Sequence, residues 1–270
     1  MSDKFVQKKI IAGGCSFTFG HELSDDLEGK TPSQKSWAYL LNQKQITKGE
    51  YLCVAKAGYG NQGIARRVFE AVANSSGNKT VVVMWSFTAR YDWAMPRHRD
   101  LENTRWTTIS PWDTDIEEKQ RNQALLGHEV QQEQWEKRQK ILKETGIKPF
   151  ADSLYRHASN QYHETYLSWK SIIWLQNILE KKKIPFMFTL ADNSLFYDVE
   201  KLHSEQDPLM SALYKEIDFT KWFSFGKRNM GFNQWAFLND YPRGATHPLD
   251  KAHQDAVKLM LPQFNKIIGE

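Results

Sequence analysis

The stretch that most constrains this chain lies near its start: Lys8-Lys9-Ile10-Ile11-Ala12-Gly13-Gly14-Cys15-Ser16-Phe17-Thr18-Phe19-Gly20. A short apolar run stops at two glycines and passes into a small, hydroxyl-bearing turn. That is the pattern of a buried strand ending at a tight turn. Gly13 and Gly14 permit a backbone approach that a Cβ would block. Ser16 falls just past the strand, where a parallel α/β sheet presents its ligands. The same spacing also describes an ordinary strand and turn with a capping serine.

Strand and helix patterns then alternate. Ser36 to Gln45 has Trp37, Leu40 and Leu41 on one helical face. Tyr51 to Ala55 is a second short strand, and Ile64 to Ala73 a helix with Ile64, Val68 and Ala71 inward. Thr80 to Trp85 is apolar throughout, as expected of a strand covered on both faces. Tyr162 to Lys183 is a long helix, residues 184–190 a fourth strand, and Lys251 to Ile268 a closing helix with Ala252, Ala256, Leu259, Met260 and Phe264 inward. This order predicts a doubly wound parallel sheet, a flavodoxin-like three-layer α/β sandwich. Its fifth strand is best sought at Lys221-Trp222-Phe223-Ser224-Phe225. Residues 90–160 interrupt the alternation with charges, Gln and scattered Trp and no strand signal, and Glu117 to Glu144 looks helical. They read as a helical insertion over the carboxyl end of the sheet, within one domain spanning 1–270.

A chain of 270 residues, 40% apolar and 13% aromatic, is long enough for one large α/β core. A net charge of +4 is mildly basic, well short of the field of a dedicated nucleic-acid binder. Cys15 and Cys53 do not make a disulfide framework and read as buried thiols. No apolar run approaches the roughly 18 residues of a membrane span, and Met1-Ser2-Asp3-Lys4 begins no leader peptide. The expectation is a cytoplasmic protein with no membrane and no nucleic-acid partner, packaging into a particle being left open. The oligomeric state has no sequence signal.

Four places would meet at the carboxyl edge of such a sheet: Ser16; Ala57-Gly58-Tyr59-Gly60-Asn61 after the second strand; Met84-Trp85-Ser86-Phe87-Thr88 after the third; and Gly244-Ala245-Thr246-His247-Pro248 before the last helix. A serine hydroxyl becomes a useful nucleophile when an imidazole takes its proton, and the oxyanion that develops needs N–H donors about 3 Å away. Gly58, Gly60 and Gly63 match a dinucleotide fingerprint only by letters, since no acidic residue closes a second unit about twenty residues on. No cofactor and no metal are expected.

In order, these four places resemble the four blocks of the SGNH/GDSL hydrolases, and the resemblance spans most of the chain. Gly14-Cys15-Ser16 matches the first block, with Cys15 in the usual Asp place. The resemblance implies Ser16 as nucleophile, His247 as base, and an oxyanion hole drawn from the amides of Ser16 and Gly58 with Asn61 and Ser86 as further candidates. Asn61 could equally tie its loop. The chain departs from the family twice. The third block, Gly-x-Asn-Asp, has no Asn here, leaving Ser86 or Thr88 to donate. Three residues before His247 stands Gly244 where the family has Asp. A backbone carbonyl would then hold the imidazole in a Ser–His dyad, with Asp240 and Asp250 as less well spaced acids. Overall, the variant resembles SGNH-like proteins carried by tailed phages.

The residues around this edge have bland and sharp readings. Arg90, Arg97, Arg99 and Arg105 are a solvated face or an anion-binding group. Trp85, Trp93, Trp106 and Trp112 are a core for the insertion or an aromatic platform for a sugar or acyl group. Trp85, Thr88, Arg90 and Trp93 are accordingly the candidate substrate contacts. His21, beside Glu22, and His253, on the last helix, read as solvated. The function expected is an ester hydrolase acting on a small-molecule or glycan ester. The rival is a non-catalytic binding or virion-associated protein on the same scaffold, and the distance between Ser16 and His247 discriminates them.

Overall fold

A computed structural model describes residues 9–45, 49–96, 105–196, 207–227 and 229–269. The strands are β1 (Lys9–Gly13), β2 (Glu50–Cys53), β3 (Lys79–Trp85), β4 (Tyr91–Ala94), β5 (Trp106–Ile109) and β6 (Phe186–Leu190). The helices are α1 (Ser16–Phe19), α2 (Trp37–Gln43), α3 (Asn61–Asn74), α4 (Glu118–Leu125), α5 (Glu129–Glu144), α6 (Ile147–His157), α7 (Gln161–Lys181), α8 (Pro208–Lys215), α9 (Phe232–Leu238) and α10 (Asp250–Ile268).

The main sheet has the order β2-β1-β3-β6 and is parallel throughout, with Ile10 opposite both Tyr51 and Thr80 and Val83 opposite Phe188. Successive side chains of a strand point to opposite faces, and the two cores divide accordingly. Ile10, Ala12, Val82 and Met84 join Trp37 and Leu41 of α2 and Ala252, Ala256, Met260 and Phe264 of α10. Ile11, Val81, Val83 and Trp85 join Ile64 and Val68 of α3 and Trp169, Ile172 and Leu175 of α7. The result is a three-layer α/β/α sandwich. Side chains start two of the flanking helices: Ser36 accepts from Tyr39 N ahead of α2, and Asn160 accepts from His163 N ahead of α7.

Five expectations are corrected. Residues 221–225 do not form a strand. The fifth position at the β6 edge is held by a single parallel bridge, Phe188 to Trp222, with Phe223 N bonded to Phe188 O at 2.8 Å. A 3-10 turn over Phe219–Lys221 takes up the start of that segment, so too few residues remain extended to pair. The insertion is not purely helical: β4 and β5 form an antiparallel pair, and its small core joins Tyr91, Met95 and Ile109 to Leu142, Ile147 and Ala151. The helix expected over 117–144 breaks at Leu126-Gly127-His128, where Gly127 has φ 80°. On α10, Leu259 is exposed whereas His253 is buried, its Nδ1 accepting from Trp37 N at 3.1 Å. Residues 97–104, with Arg97 and Arg99, and the first eight residues lie outside the described part. No helix among the described residues is long and apolar enough to cross a membrane.

Candidate active site

β1 delivers Ser16 to the carboxyl edge. Gly14 has φ 155°, and a Cβ there would stand 2.1 Å from Thr18 Oγ1, so only glycine lets the chain turn from strand into α1. Lys56 N donates to Gly14 O at 3.3 Å, laying the loop after β2 alongside this turn. Gly58 lies in that loop. Among the described residues neither the Ser16 N–H nor the Gly58 N–H has a protein acceptor. The first turn of α1 begins at Ser16 itself, and first-turn amides of a helix have no partner within it.

The loop 244–248 brings His247 to the same place. Its Nε2 is 2.7 Å from Ser16 Oγ, and both residues are buried, 7% and 5% exposed. The Phe17 ring lies edge-on to the imidazole with centroids 4.7 Å apart.

On the other side of the imidazole stands a carboxylate that the sequence reading passed over. Glu22 Oε1 is 3.4 Å from His247 Nδ1, a charge contact longer than a good hydrogen bond. The Thr246 hydroxyl bridges the two, 2.8 Å from Nδ1 and donating to Glu22 Oε1 at 2.9 Å. Glu22 Oε2 accepts from the backbone N–H groups of Thr246 and His247 at 3.0 and 3.1 Å. With Nδ1–H pointing to Thr246, Nε2 is left as the acceptor for the Ser16 proton. The imidazole is therefore held by Thr246 and Glu22, not by a backbone carbonyl. Asp240 is exposed, and Asp250 is occupied by Ser24 and Lys35. The one signal in the sequence was Gly244, because its missing side chain leaves the carboxylate to come from elsewhere.

Charge in this pocket is ordered. Burial raises the Glu22 carboxyl, but the hydrogen bond and charge of His247 and the bonds from Thr246 outweigh it and bring it down to about 2. Burial lowers the His247 imidazole below its ordinary value; Glu22 opposes this, while His21 and Arg90 add to it. The site at neutral pH thus holds a carboxylate and a neutral imidazole. His21 is not solvated: its ring lies 5.5 Å from that of His247, and its Nδ1 is 3.0 Å from Asp26 Oδ2.

The other candidates divide. Asn61 is buried with its amide consumed: Oδ1 accepts from Ser86 N at 2.7 Å and Nδ2 donates to Ser86 O and Ser168 Oγ, both at 3.1 Å. It ties loops and does not face an oxyanion. Ser86 is fully buried, and its hydroxyl accepts from Arg90 Nη1 at 3.0 Å. Trp85 packs in the core against Phe188 at 5.2 Å and lines no mouth. Thr88, three residues on, is 9% exposed. Arg90 is half-buried over the face of Phe87, 4.6 Å from its centroid. Trp93 is exposed on β4 and packs on Phe150. Trp106 lies under Arg66 and Trp112 against Trp135, within the insertion.

The architecture is thus an α/β sandwich presenting a hydroxyl, an imidazole and a carboxylate in line at its carboxyl edge. No family model matches the chain, and comparison with curated proteins finds no match. Among solved structures it is similar to a member of the lipolytic protein G-D-S-L family from Veillonella parvula, at 11% identity and TM-score 0.44, over 97% of this chain and 99% of that one. It is also similar to a G-D-S-L family protein from Desulfitobacterium hafniense at 12% identity and TM-score 0.43, over 94% and 98% of the two chains. A third is the psychrotrophic esterase EstA from Pseudoalteromonas sp., at 10% identity and TM-score 0.42, over 97% and 96%.

Proposed function

We propose that this chain is an SGNH-type serine hydrolase that cleaves an ester. The observation that carries the reading is the 2.7 Å contact between Ser16 Oγ and His247 Nε2 in a buried setting. In this reading Ser16 Oγ attacks the ester carbonyl while His247 Nε2 takes its proton. The tetrahedral oxyanion is met by the N–H groups of Ser16 and Gly58, and Thr88 is the candidate third donor in a chain without the third-block Asn. Collapse expels the alcohol, which receives the proton from His247. Water then attacks the acyl-Ser16, giving its proton to the same imidazole; collapse breaks the acyl–Oγ bond, His247 returns the proton to Ser16 Oγ, and the acid leaves. Glu22 and Thr246 fix the tautomer and favour the imidazolium that forms transiently. None of these steps uses a cofactor.

A packed side chain between Ser16 and His247 would favour the binding-protein alternative, and the direct contact between them supports the hydrolase instead. The test is turnover of a panel of p-nitrophenyl esters. Ser16→Ala and His247→Ala, each confirmed folded, should lose nearly all of it. Equal turnover in wild type and Ser16→Ala would reject the reading.

A further inference from the structure

Arg90 differs from the other arginines that this fold partly or wholly buries. Among the described residues Arg66, Arg67, Arg121 and Arg138 each stand within 4.0 Å of a carboxylate, whereas Arg90 faces none; Arg105, Arg156 and Arg243, which also show no such pair, are exposed. Arg90 Nη1 donates to Ser86 Oγ at 3.0 Å and, at 3.4 Å, to Tyr59 O, and its guanidinium covers Phe87. Loops after β2 and β3 therefore hold the group in place. Gly60 fits against it, since a Cβ there would stand 2.4 Å from Arg90 O. Nε and Nη2 have no acceptor among the described residues.

The position belongs to the active edge. Phe87 lies 6.4 Å from Phe17, whose ring touches that of His247. β3 ends level with the turn before Ser16, with Met84 O 3.1 Å from where a Gly14 Cβ would stand. The Arg90 charge is felt at His247, where it disfavours the protonated form. Glu22, by contrast, sits on the Nδ1 side of the imidazole, away from Ser16, with both oxygens engaged. The Phe17 and Phe87 side of the site thus carries a fixed, half-buried positive charge with donors to spare. A guanidinium in this condition matches a carboxylate or phosphate in a paired geometry.

We propose that Arg90 selects an ester carrying an anionic group, which it binds beside the scissile carbonyl. The proposal rests on the hydrolase reading above. Two pairs of esters test it and separate the two sides of the bond. 4-Nitrophenyl hydrogen adipate against 4-nitrophenyl hexanoate places the charge on the acyl side; 4-acetoxybenzoate against its methyl ester places it on the leaving group. The readout is the ratio of kcat/KM within a pair, compared between wild type and variants so that intrinsic reactivity cancels. Arg90→Gln should lower the anionic-to-neutral ratio of at least one pair about 10- to 100-fold, and Arg90→Lys should keep part of the preference. High salt should lower the same ratio in the wild type, a measurement that stands if Arg90→Gln does not fold. A binding arm removes the dependence on turnover: Ser16→Ala protein should bind methyl hydrogen adipate more tightly than dimethyl adipate, and Arg90→Gln should erase the difference. Ratios unmoved by Arg90→Gln and by salt, or equal binding of both adipates, overturn the proposal. Absence of turnover with charge-selective binding intact would sink the hydrolase reading alone.

Discussion

Gly244 and Glu22 share one volume. A Cβ on Gly244 would lie 2.3 Å from Glu22 Oε2 and 3.1 Å from its Cδ. The residue three before His247 is therefore small because a carboxylate from the turn after α1 fills the space its side chain would take. Glu22 adopts φ 69° to do so, a left-handed conformation that costs a non-glycine residue of order 1 kcal/mol.

This relationship predicts a rescue. Glu22→Gln should lower kcat by about 10² to 10⁴, the upper figure being that of a lost triad acid in serine proteases. Gly244→Asp alone should also be damaging, because two carboxylates cannot occupy the pocket. Glu22→Gly with Gly244→Asp should recover activity over either single variant, since glycine accepts the backbone at 22 and the new acid takes the vacated space. A double variant no better than the singles would show that the carboxylate's origin matters in some other way.

The pH profile follows from the same pair. The base must be neutral, and burial holds His247 below its ordinary value. Activity should rise with pH along an acid limb centred below about 6.5. Glu22 is the group that raises the imidazole, so Glu22→Gln should move that limb to still lower pH while kcat falls. A limb shifting upward in that variant would contradict the assignment. Measuring kcat/KM across the acid range decides it.

Asn61 is a second point of leverage. Its side chain closes three buried hydrogen bonds between the start of α3, the end of β3 and α7. Asn61→Ala orphans Ser86 N, a cost of about 1–3 kcal/mol for that donor alone. Denaturant unfolding should show a loss of at least that size, with activity falling because the loops after β2 and β3 are no longer tied.

His253 supplies a pH dependence of stability with no direct part in the chemistry. Burial lowers its imidazole to about 3, so the folded state keeps it neutral where the unfolded chain, with an ordinary value near 6.5, binds a proton. Stability from this residue is present above that value and is lost as pH falls from about 6.5 toward 3. His253→Leu should flatten this part of the stability profile and, by orphaning Trp37 N, lower stability at neutral pH by about 1–3 kcal/mol.

What the sequence revealed and what it hid have physical reasons. β1, β3 and β6 are short runs covered by helices on both faces, so nearly every side chain in them is apolar and the runs stand out. Ser16 and His247 were legible because small residues and a helix start flank them. Glu22 was not: it sits in a polar stretch with no period, and its partner is 225 residues away. β4 and β5 were missed because each is four residues long, too short for alternation to show; β4 sets Asp92 between two aromatics and β5 sets two threonines between Trp106 and Ile109. The apolar face of α10 was drawn through 252, 256, 259, 260 and 264; it lies instead one position toward the other side, leaving Leu259 exposed and burying Val257 and His253.

The central claim is that Ser16, activated by His247, is the nucleophile. Incubation with a fluorophosphonate and mapping of the adduct by mass spectrometry tests it most directly. The account predicts a single adduct on Ser16, greatly slowed in His247→Ala and absent in Ser16→Ala. A native, folded protein that takes up no probe, or an adduct that persists in Ser16→Ala, would contradict it.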